Sequence, residues 1–225
     1  MQNDAAKLKY KTKIVDNTEV LYGSWWINDL EHELHFNWYY HQANVIYKNC
    51  SRDMHLLEIG VGTNLLSDLL RRRKWTVSTI DIDADKNPDI CESAFDFDYN
   101  SSDYRIVLAF EIFEHIPYNT FLKTINKISK SHVKKIIFSL PWNELSIFKI
   151  DIKLPKVKKI SINPTIPRGR ISTPAHFWEL FRSDKVVDGK KLVSLRQLIF
   201  AFQECGFELR ELQKIGNIQY FQALR

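Results

Sequence analysis

The amino-acid sequence predicts an α/β protein built on a doubly wound, mostly parallel sheet. Three observations lead to this fold class. Short aliphatic runs alternate with helical patterns between residues 55 and 142, the first run ends in two glycines, and the last third contains a helix followed by two strand-like runs. Strands that alternate with helices form a parallel sheet covered on both faces. The 225 residues suit one domain with a single core.

Residues 1–54 are predicted to form a helical extension. Aromatic and aliphatic residues recur at helical spacing over residues 27–49, which predicts one long helix. His32 and His35 lie in this segment, but a zinc-protease helix would need its second histidine where Phe36 stands. We therefore expect a solvated or substrate-facing helix here and no metal site.

The alternation occupies residues 55–142, the segment expected to form the cofactor-binding half. Its apolar runs have the length and the β-branched content of buried strands. The strands are expected at residues 55–60, 76–81, 90–95, 105–111 and 134–141. Helices are expected near residues 64–73 and 118–131.

Residues 143–191 interrupt the alternation with four prolines and a basic cluster. We expect an insertion with little regular structure that caps the substrate site. Between Lys149 and Arg170 there are seven basic residues and one acidic residue, Asp151, although the whole chain has a net charge of only +5. A locally basic segment favours an acidic ligand or surface.

Residues 192–225 return to regular structure. An amphipathic helix is predicted over residues 194–207, with its end at Gly206. Two strand-like runs then flank the turn "GN" at residues 216 and 217. They are predicted to be antiparallel, because a parallel crossover needs a dozen or more residues.

The stretch "LEIGVGTN" joins a buried strand to a helix through Gly60 and Gly62. Glycine allows a ligand to approach the backbone and adopts positive φ without strain. A dinucleotide fingerprint would need a third glycine where Leu65 stands, so that ligand is disfavoured. Asp81 follows Glu58 by 23 positions, at the end of the second predicted strand, where a carboxylate can accept hydrogen bonds from ribose hydroxyls.

The stretch "VLAFEIFEHIP", residues 107–117, ends the fourth predicted strand. Together with the glycine turn and Asp81, it resembles the class I S-adenosylmethionine-dependent methyltransferases, in particular their small-molecule-type members (methyltransferase type 11/12-like). The resemblance is strong over residues 55–142. It implies a Rossmann-like sheet of seven strands with an antiparallel C-terminal strand, and S-adenosylmethionine as cofactor.

The resemblance also implies a set of cofactor-binding residues. Glu58 would position the methionine amino group, Gly60 and Gly62 would let the backbone approach the cofactor, and Asp81 would hold the ribose. Asn64 stands where the family often has a third glycine, and asparagine tolerates left-handed geometry. The other implied contacts are Ile82, Ser93, Ala94, Phe95, Phe110 and Glu111.

Two histidines are the catalytic candidates. Methyl transfer from a sulfonium mainly requires alignment of donor and acceptor and exclusion of water, and it requires no metal. A base helps when the acceptor is a hydroxyl or an amine. The resemblance implies that His115 and His176 face the cleft and could supply this base.

We therefore expect methyl transfer to an O or N atom of a small or medium acceptor with acidic groups, bound between the N-terminal helix and the insertion. No DNA partner is expected, and the oligomeric state stays open. The widely spaced Cys50, Cys91 and Cys205 and the absence of a secretory signal favour the cytoplasm. One alternative is an RNA-modifying methyltransferase or a non-catalytic RNA-binding copy, and another is a peripheral membrane enzyme with a lipid-linked substrate.

Overall fold

The computed structural model describes residues 10–23, 33–148, 150–152, 160–162 and 164–225. A hairpin comes first, formed by β1 (Lys11–Val15) and β2 (Thr18–Tyr22). Its turn residues Asp16 and Asn17 have φ angles of 47° and 62°, a left-handed geometry that short polar side chains accept. This hairpin was not predicted, because its two short strands are largely polar.

Helix α1 (Glu33–Asn49) confirms the predicted N-terminal helix over the described residues. Residues 27–32 of that prediction, His32 among them, lie outside the described part of the chain.

The predicted alternation of strands and helices is confirmed. Its elements are β3 (His55–Ile59), α2 (Leu65–Arg72), β4 (Val77–Asp81), β5 (Ile90–Cys91), β6 (Tyr104–Phe110), α3 (Tyr118–Ser129) and β7 (Lys135–Pro141). Strand β5 has two residues, whereas the prediction extended to residue 95. The strand stops early because Ser93 begins a turn, in which its hydroxyl accepts a hydrogen bond of 3.1 Å from the backbone N–H of Phe95.

The expectation of little regular structure in residues 143–191 is wrong. The segment contains β8 (Glu144–Ser146), β9 (Ile150–Ile152), β10 (Ile160–Ile162), β11 (Thr165–Pro167), β12 (Trp178–Phe181), β13 (Lys185–Val187) and β14 (Lys190–Ser194). Strand β8 pairs with β11, β9 pairs with β10, and β14 lies between β12 and β13. Strands of three to five residues give a weak periodic signal, and the prolines and lysines around them masked it.

The C-terminal prediction is confirmed by α4 (Leu195–Glu204), β15 (Glu208–Ile215) and β16 (Ile218–Leu224). Gly206 follows α4 with a φ of 75°, a geometry that commonly ends a helix. Strands β15 and β16 are antiparallel, and Ile215 pairs with Ile218 across the turn.

In the described part of the chain, the central sheet has seven strands in the order β15-β16-β7-β6-β3-β4-β5. Strands β3 to β7 are parallel to one another, and β16 is antiparallel to both β7 and β15. The predicted fold class, a doubly wound and mostly parallel seven-stranded sheet with an antiparallel C-terminal strand, is therefore confirmed.

The two faces of this sheet have separate cores. In β6, Val107 and Ala109 pack in one apolar cluster with residues of α3 and α4, whereas Ile106 and Leu108 pack in another with residues of α1 and α2. Alternate strand residues point to opposite faces, so helices are needed on both sides. None of the described helices is long and apolar enough to cross a membrane.

Candidate functional site

A cavity of about 510 Å³ opens at the carboxyl ends of β3, β4 and β6. Strand β4 lies on one side of β3 and β6 lies on the other, so the strand order reverses here. Ligands of open α/β sheets bind at such a switch point. The β1–β2 hairpin and α1 cover the cavity with apolar side chains that include Val15, Leu21, Trp38 and Tyr39.

Most of the predicted site residues line this cavity. They are Glu58, Gly60, Gly62, Asp81, Ile82, Ser93, Ala94, Phe95, Phe110, Glu111 and the catalytic candidate His115. Two further predicted residues, Asn64 and His176, are not part of the lining. The Nδ2 atom of Asn64 donates a hydrogen bond of 2.5 Å to the carbonyl of Lys86, and the ring of His176 packs against that of His115.

The turn after β3 is formed by residues with positive φ. Gly60, Gly62 and Asn64 have φ angles of 77°, 54° and 63°. The left-handed geometry that Asn64 was expected to tolerate is therefore present, directly before α2. This geometry places backbone rather than side chains against the cavity, so a ligand can approach the main chain.

Glu58 lies at the end of β3 with 4% of its surface exposed. Burial raises the pKa of its carboxyl to about 8. Its Oε2 atom is buried and has no hydrogen-bond partner among the described residues. A buried carboxylate oxygen without a donor is costly, and a cationic ligand group would relieve that cost.

Asp81, at the end of β4, is also buried, but its carboxylate has several donors. Oδ2 accepts a hydrogen bond of 3.1 Å from the backbone N–H of Val61, and Oδ1 accepts one of 2.9 Å from that of Asp83. The Nζ atom of Lys86 lies 3.1 Å from Oδ2 and 3.3 Å from Oδ1. Lys86 also lines the cavity and was not predicted as a site residue, since no motif in the sequence marks it.

Glu111 follows β6 with a φ of 54°, a strained geometry for a glutamate. Its backbone N–H and its Oε1 atom both contact the hydroxyl of Ser139, at 3.1 and 2.9 Å. Burial raises the pKa of Glu111 to about 7, against the lowering effect of the Ser139 hydrogen bond. Ser139 of β7 thus holds Glu111 in place at the cavity wall.

The rings of His115 and His176 meet edge to face, with 4.7 Å between their centroids. Burial, then the neighbouring His176 and the charge of Lys86, lower the pKa of His115 to about 3, whereas a hydrogen bond to the backbone of Ala175 acts in the opposite direction. His115 is therefore neutral at pH 7. The structure brings the two predicted histidines together, with His115 at the cavity wall.

Glu179 organises the loop behind the histidines. Its Oε1 atom accepts hydrogen bonds from the backbone N–H of Ser172 at 2.8 Å, from the Ser172 hydroxyl, and from Nδ1 of His176 at 2.8 Å. Its Oε2 atom accepts a hydrogen bond of 2.5 Å from Nδ2 of Asn143. Burial alone would raise the pKa of Glu179, but these hydrogen bonds outweigh it and hold the pKa below its ordinary value.

Glu114 was not predicted as a site residue. It directly precedes His115 and has no exposed surface. Both of its carboxylate oxygens are buried and lack a hydrogen-bond partner among the described residues. Burial and the neighbouring Glu111 raise its pKa well above the ordinary value. Nothing in the stretch "VLAFEIFEHIP" marks this residue as buried, so only the structure reveals its position.

A second hollow of about 660 Å³ lies in the insertion. Its lining includes Arg168, Arg170 and residues 171–174, and the next residue along the chain, Ala175, lines the main cavity. Lys190 is also part of the lining, but its Nζ atom donates to the carbonyls of Pro174 and His176 at 2.7 and 2.6 Å. The five lysines of the basic cluster lie outside the described part of the chain.

The strand order, the antiparallel last strand and a cavity beside a glycine turn define the methyltransferase class of Rossmann-like folds. A model of the methyltransferase domain family matches residues 28–212, more than four fifths of the chain. The chain therefore belongs to the methyltransferase domain family, and the resemblance inferred from its sequence motifs is confirmed. A search of curated proteins finds no significant match.

Solved methyltransferase structures share this fold. A glycopeptide N-methyltransferase with bound S-adenosylhomocysteine has a TM-score of 0.51 and 11% identity, with 83% of this chain and 86% of that chain covered. The magnesium protoporphyrin IX methyltransferase of Synechocystis PCC 6803, also with S-adenosylhomocysteine, has a TM-score of 0.53 and 11% identity, with 85% and 83% covered. The small RNA methyltransferase HEN1 has a TM-score of 0.54 and 15% identity, but only 25% of that longer chain is covered.

Proposed function

We propose that this protein transfers a methyl group from S-adenosylmethionine to an O or N atom of a polar acceptor. The observation that supports this function best is the buried and unpartnered Oε2 atom of Glu58, beside a glycine turn in a cavity at the strand switch point. The glycopeptide N-methyltransferase is also known with S-adenosylmethionine and with sinefungin. We assign the same cofactor to this chain.

The residues around the cavity fit the parts of this cofactor. Glu58 would hold its ammonium group, because the Oε2 atom of its carboxylate is buried without a donor among the described residues. Asp81 now accepts four hydrogen bonds, two of them from Nζ of Lys86, which fill its roughly four acceptor positions. It would hold the ribose hydroxyls in place of a bond that Lys86 now donates. Ile82 and residues 93–95 would contact the adenine, and Phe110 and Glu111 would contact the methionine portion.

The bound cofactor would supply a methyl group on a positively charged sulfur. This methyl group is already activated for displacement. The protein then has to align the acceptor and to exclude water. The β1–β2 hairpin and α1 exclude water, since they cover the cavity with apolar groups. His115 can accept a hydrogen bond from an acceptor O–H or N–H, because it is neutral at pH 7 and lines the cavity.

The acceptor that we propose is a small or medium molecule with acidic groups. Arg168 and Arg170 line the hollow in the insertion, and the hydrogen bonds of Asn143 to the backbone of residues 169 and 170 hold these arginines in place. Guanidinium groups bind carboxylates and phosphates in a bidentate manner. The acceptor would thus lie with its charged end in the hollow and its reacting atom near His115.

Calorimetric titration with S-adenosylhomocysteine tests the cofactor assignment. Saturable one-to-one binding is expected, and its absence would remove the proposed function. Labelled S-adenosylmethionine, offered with pools of acidic metabolites, RNA oligonucleotides or anionic vesicles, then identifies the acceptor class. Label transfer to RNA or to lipid alone would overturn the small-acceptor assignment and favour one of the two alternatives.

A further inference from the structure

Glu114, His115 and His176 form a cluster of metal-ligand groups beside the cavity. One ligand atom from each residue lies within 4.8 Å of the other two. Ligands that share one divalent ion at about 2.1 Å stand roughly 3 to 4 Å apart. Shifts of about 1 Å, within the reach of side-chain rotation, would bring these three atoms onto one ion.

His176 is oriented as a metal-ligating histidine usually is. A ligating histidine commonly gives its other ring nitrogen to a carboxylate or a backbone carbonyl, which sets its tautomer and orientation. Nδ1 of His176 hydrogen-bonds to Oε1 of Glu179 at 2.8 Å, and its Nε2 atom lies 4.0 Å from Oε1 of Glu114. His176 therefore keeps Nε2 for the space beside Glu114, and one ring nitrogen of His115 lies within 4.8 Å of the ligand atoms of both residues.

The carboxylate of Glu114 gives a second, independent observation. It is fully buried, and both of its oxygens lack a hydrogen-bond partner among the described residues. The neighbouring carboxylates Glu111 and Glu179 act on it as like charges. A protein rarely leaves such a group without a partner, and a bound cation would satisfy its oxygens and offset the repulsion.

We propose that Glu114, His115 and His176 bind one divalent transition-metal ion at the acceptor side of the cavity. Two imidazoles and one carboxylate suit Zn²⁺, Mn²⁺, Co²⁺ or Fe²⁺ better than Mg²⁺, which prefers oxygen ligands. Three protein ligands leave coordination positions open for a further ligand. This site revises the expectation from sequence that no metal is required.

The metal site also indicates which class of acceptor is methylated, and this step of the inference rests on the proposed function. His115 lines the cavity, so an open coordination position faces the space in which the acceptor lies. A hydroxyl bound to the ion becomes more acidic. Methyl transfer then forms an O–CH₃ bond, breaks the C–S bond with its electron pair left on sulfur, and releases the hydroxyl proton to water. The favoured acceptor is therefore a hydroxyl, and the lone pair of His115 binds the ion rather than the proton.

The experiment uses the full chain after treatment with a chelator. Titration with Co²⁺ is followed by visible absorption, and titrations with Zn²⁺, Mn²⁺ and Mg²⁺ by calorimetry. One Co²⁺ ion per chain is expected, with d–d bands of a site with nitrogen ligands, and Zn²⁺ should displace it. Glu114→Gln, His115→Asn and His176→Asn should each weaken Co²⁺ binding at least about tenfold, the scale of losing one ligand.

The exposed His132 supplies the control, since His132→Asn should leave Co²⁺ binding unchanged. Thermal unfolding and S-adenosylhomocysteine binding, measured on every variant, report whether it is folded. The metal site is overturned if no ion binds at one per chain, if Mg²⁺ alone binds, or if the three variants bind Co²⁺ like the parent. If the protein binds S-adenosylhomocysteine but binds no metal ion, the site alone is overturned, whereas metal binding without S-adenosylhomocysteine would uphold the site and overturn the proposed function.

Discussion

A Cβ atom on Gly60 would lie 1.9 Å from Cδ1 of Ile112 and 2.6 Å from its Cγ1. Gly60 begins the turn after β3, and Ile112 follows β6, so this contact joins the two strand ends that border the cavity. Ile112 lines the cavity as well. Any side chain at position 60 would therefore push Ile112 into the space assigned to the cofactor.

Gly60→Ala should lower the free energy of unfolding by about 1 to 3 kcal/mol, because alanine is strained at a φ of 77° and Ile112 must move. Binding of S-adenosylhomocysteine should weaken at least about tenfold, equivalent to about 1.4 kcal/mol. Gly206→Ala is the matched control, since Gly206 has a φ of 75° and no atom lies within 4 Å of its Cβ position. Urea denaturation and calorimetry check both variants, and equal effects on ligand binding would contradict the steric explanation.

Asp81→Asn should weaken S-adenosylhomocysteine binding by about 1.5 to 3 kcal/mol, the usual contribution of hydrogen bonds to a charged group. The substitution keeps the shape of the side chain, so calorimetry should report a change in affinity without loss of the fold. Asp85→Asn is the control. Asp85 lies only four residues after Asp81, but 61% of its side chain is exposed. If the two variants bind equally well, Asp81 does not contact the ribose.

Glu58 should make stability depend on pH. Its pKa is about 8 in the folded protein, above the ordinary value of 4.5, so the folded state retains this proton while the unfolded state has lost it. The stabilising contribution is complete below a pH of about 4.5 and is lost as the pH rises through about 8. Glu58→Gln cannot titrate, so the stability difference between parent and variant should fall over this range in urea denaturation. A difference that does not change with pH would show that Glu58 is ionised in the fold.

A cationic group bound by Glu58 requires its ionised form. Binding of S-adenosylhomocysteine near pH 7 should therefore release a proton from the parent protein and not from Glu58→Gln. Calorimetry in buffers with different ionisation enthalpies measures this proton. The same result in both proteins would place the ammonium group elsewhere.

The pattern of the sequence predicted the sheet well, because its strands are buried on both faces and give continuous apolar runs such as β6 and β7. The glycine turn and Asp81 could also be found from the sequence, because they stand at short, regular distances along the chain, at the ends of two successive strands. The insertion was predicted poorly. Some of its pairs join strands that are not neighbours in sequence, such as β12 and β14, in which Trp178 pairs with Lys191, and no local pattern encodes such a pairing.

The buried polar residues behind the cavity were also beyond local patterns. No sequence pattern marks Glu114 as buried, yet it is fully buried. Glu179 contacts Asn143, 36 positions earlier in the sequence. Lys86 pairs with Asp81 only because a short turn brings it back to β4. Long-range packing determines the positions of Glu114 and Glu179, and periodicity does not report it.

Glu179 should position His176 through its hydrogen bond. Glu179→Ala would remove an acceptor from Asn143, Ser172 and His176, at a cost of about 1 to 3 kcal/mol for a buried group left unpaired. Nitrogen chemical shifts of the His176 ring should change, because Nδ1 then has only the Ser172 hydroxyl, at 3.3 Å, beside it. Glu208→Gln is the control, since Glu208 is exposed and pairs with Arg210 on the surface. An unchanged His176 spectrum in Glu179→Ala would remove this positioning role.

Arg168 and Arg170 should make anion binding depend on salt. The proposed acceptor places its acidic end in their hollow, so the double variant Arg168→Gln, Arg170→Gln should bind inorganic pyrophosphate at least about tenfold more weakly than the parent, equivalent to about 1.4 kcal/mol. The affinity of the parent should fall when ionic strength rises and the Debye length shrinks to about 3 to 8 Å, and that of the double variant should fall less. Arg52→Gln, at an exposed position away from the hollow, should bind pyrophosphate like the parent. Because S-adenosylhomocysteine is assigned to the other cavity, its affinity should not change in any of these proteins. A pyrophosphate affinity that is equal in parent and double variant would contradict an acidic acceptor at this site.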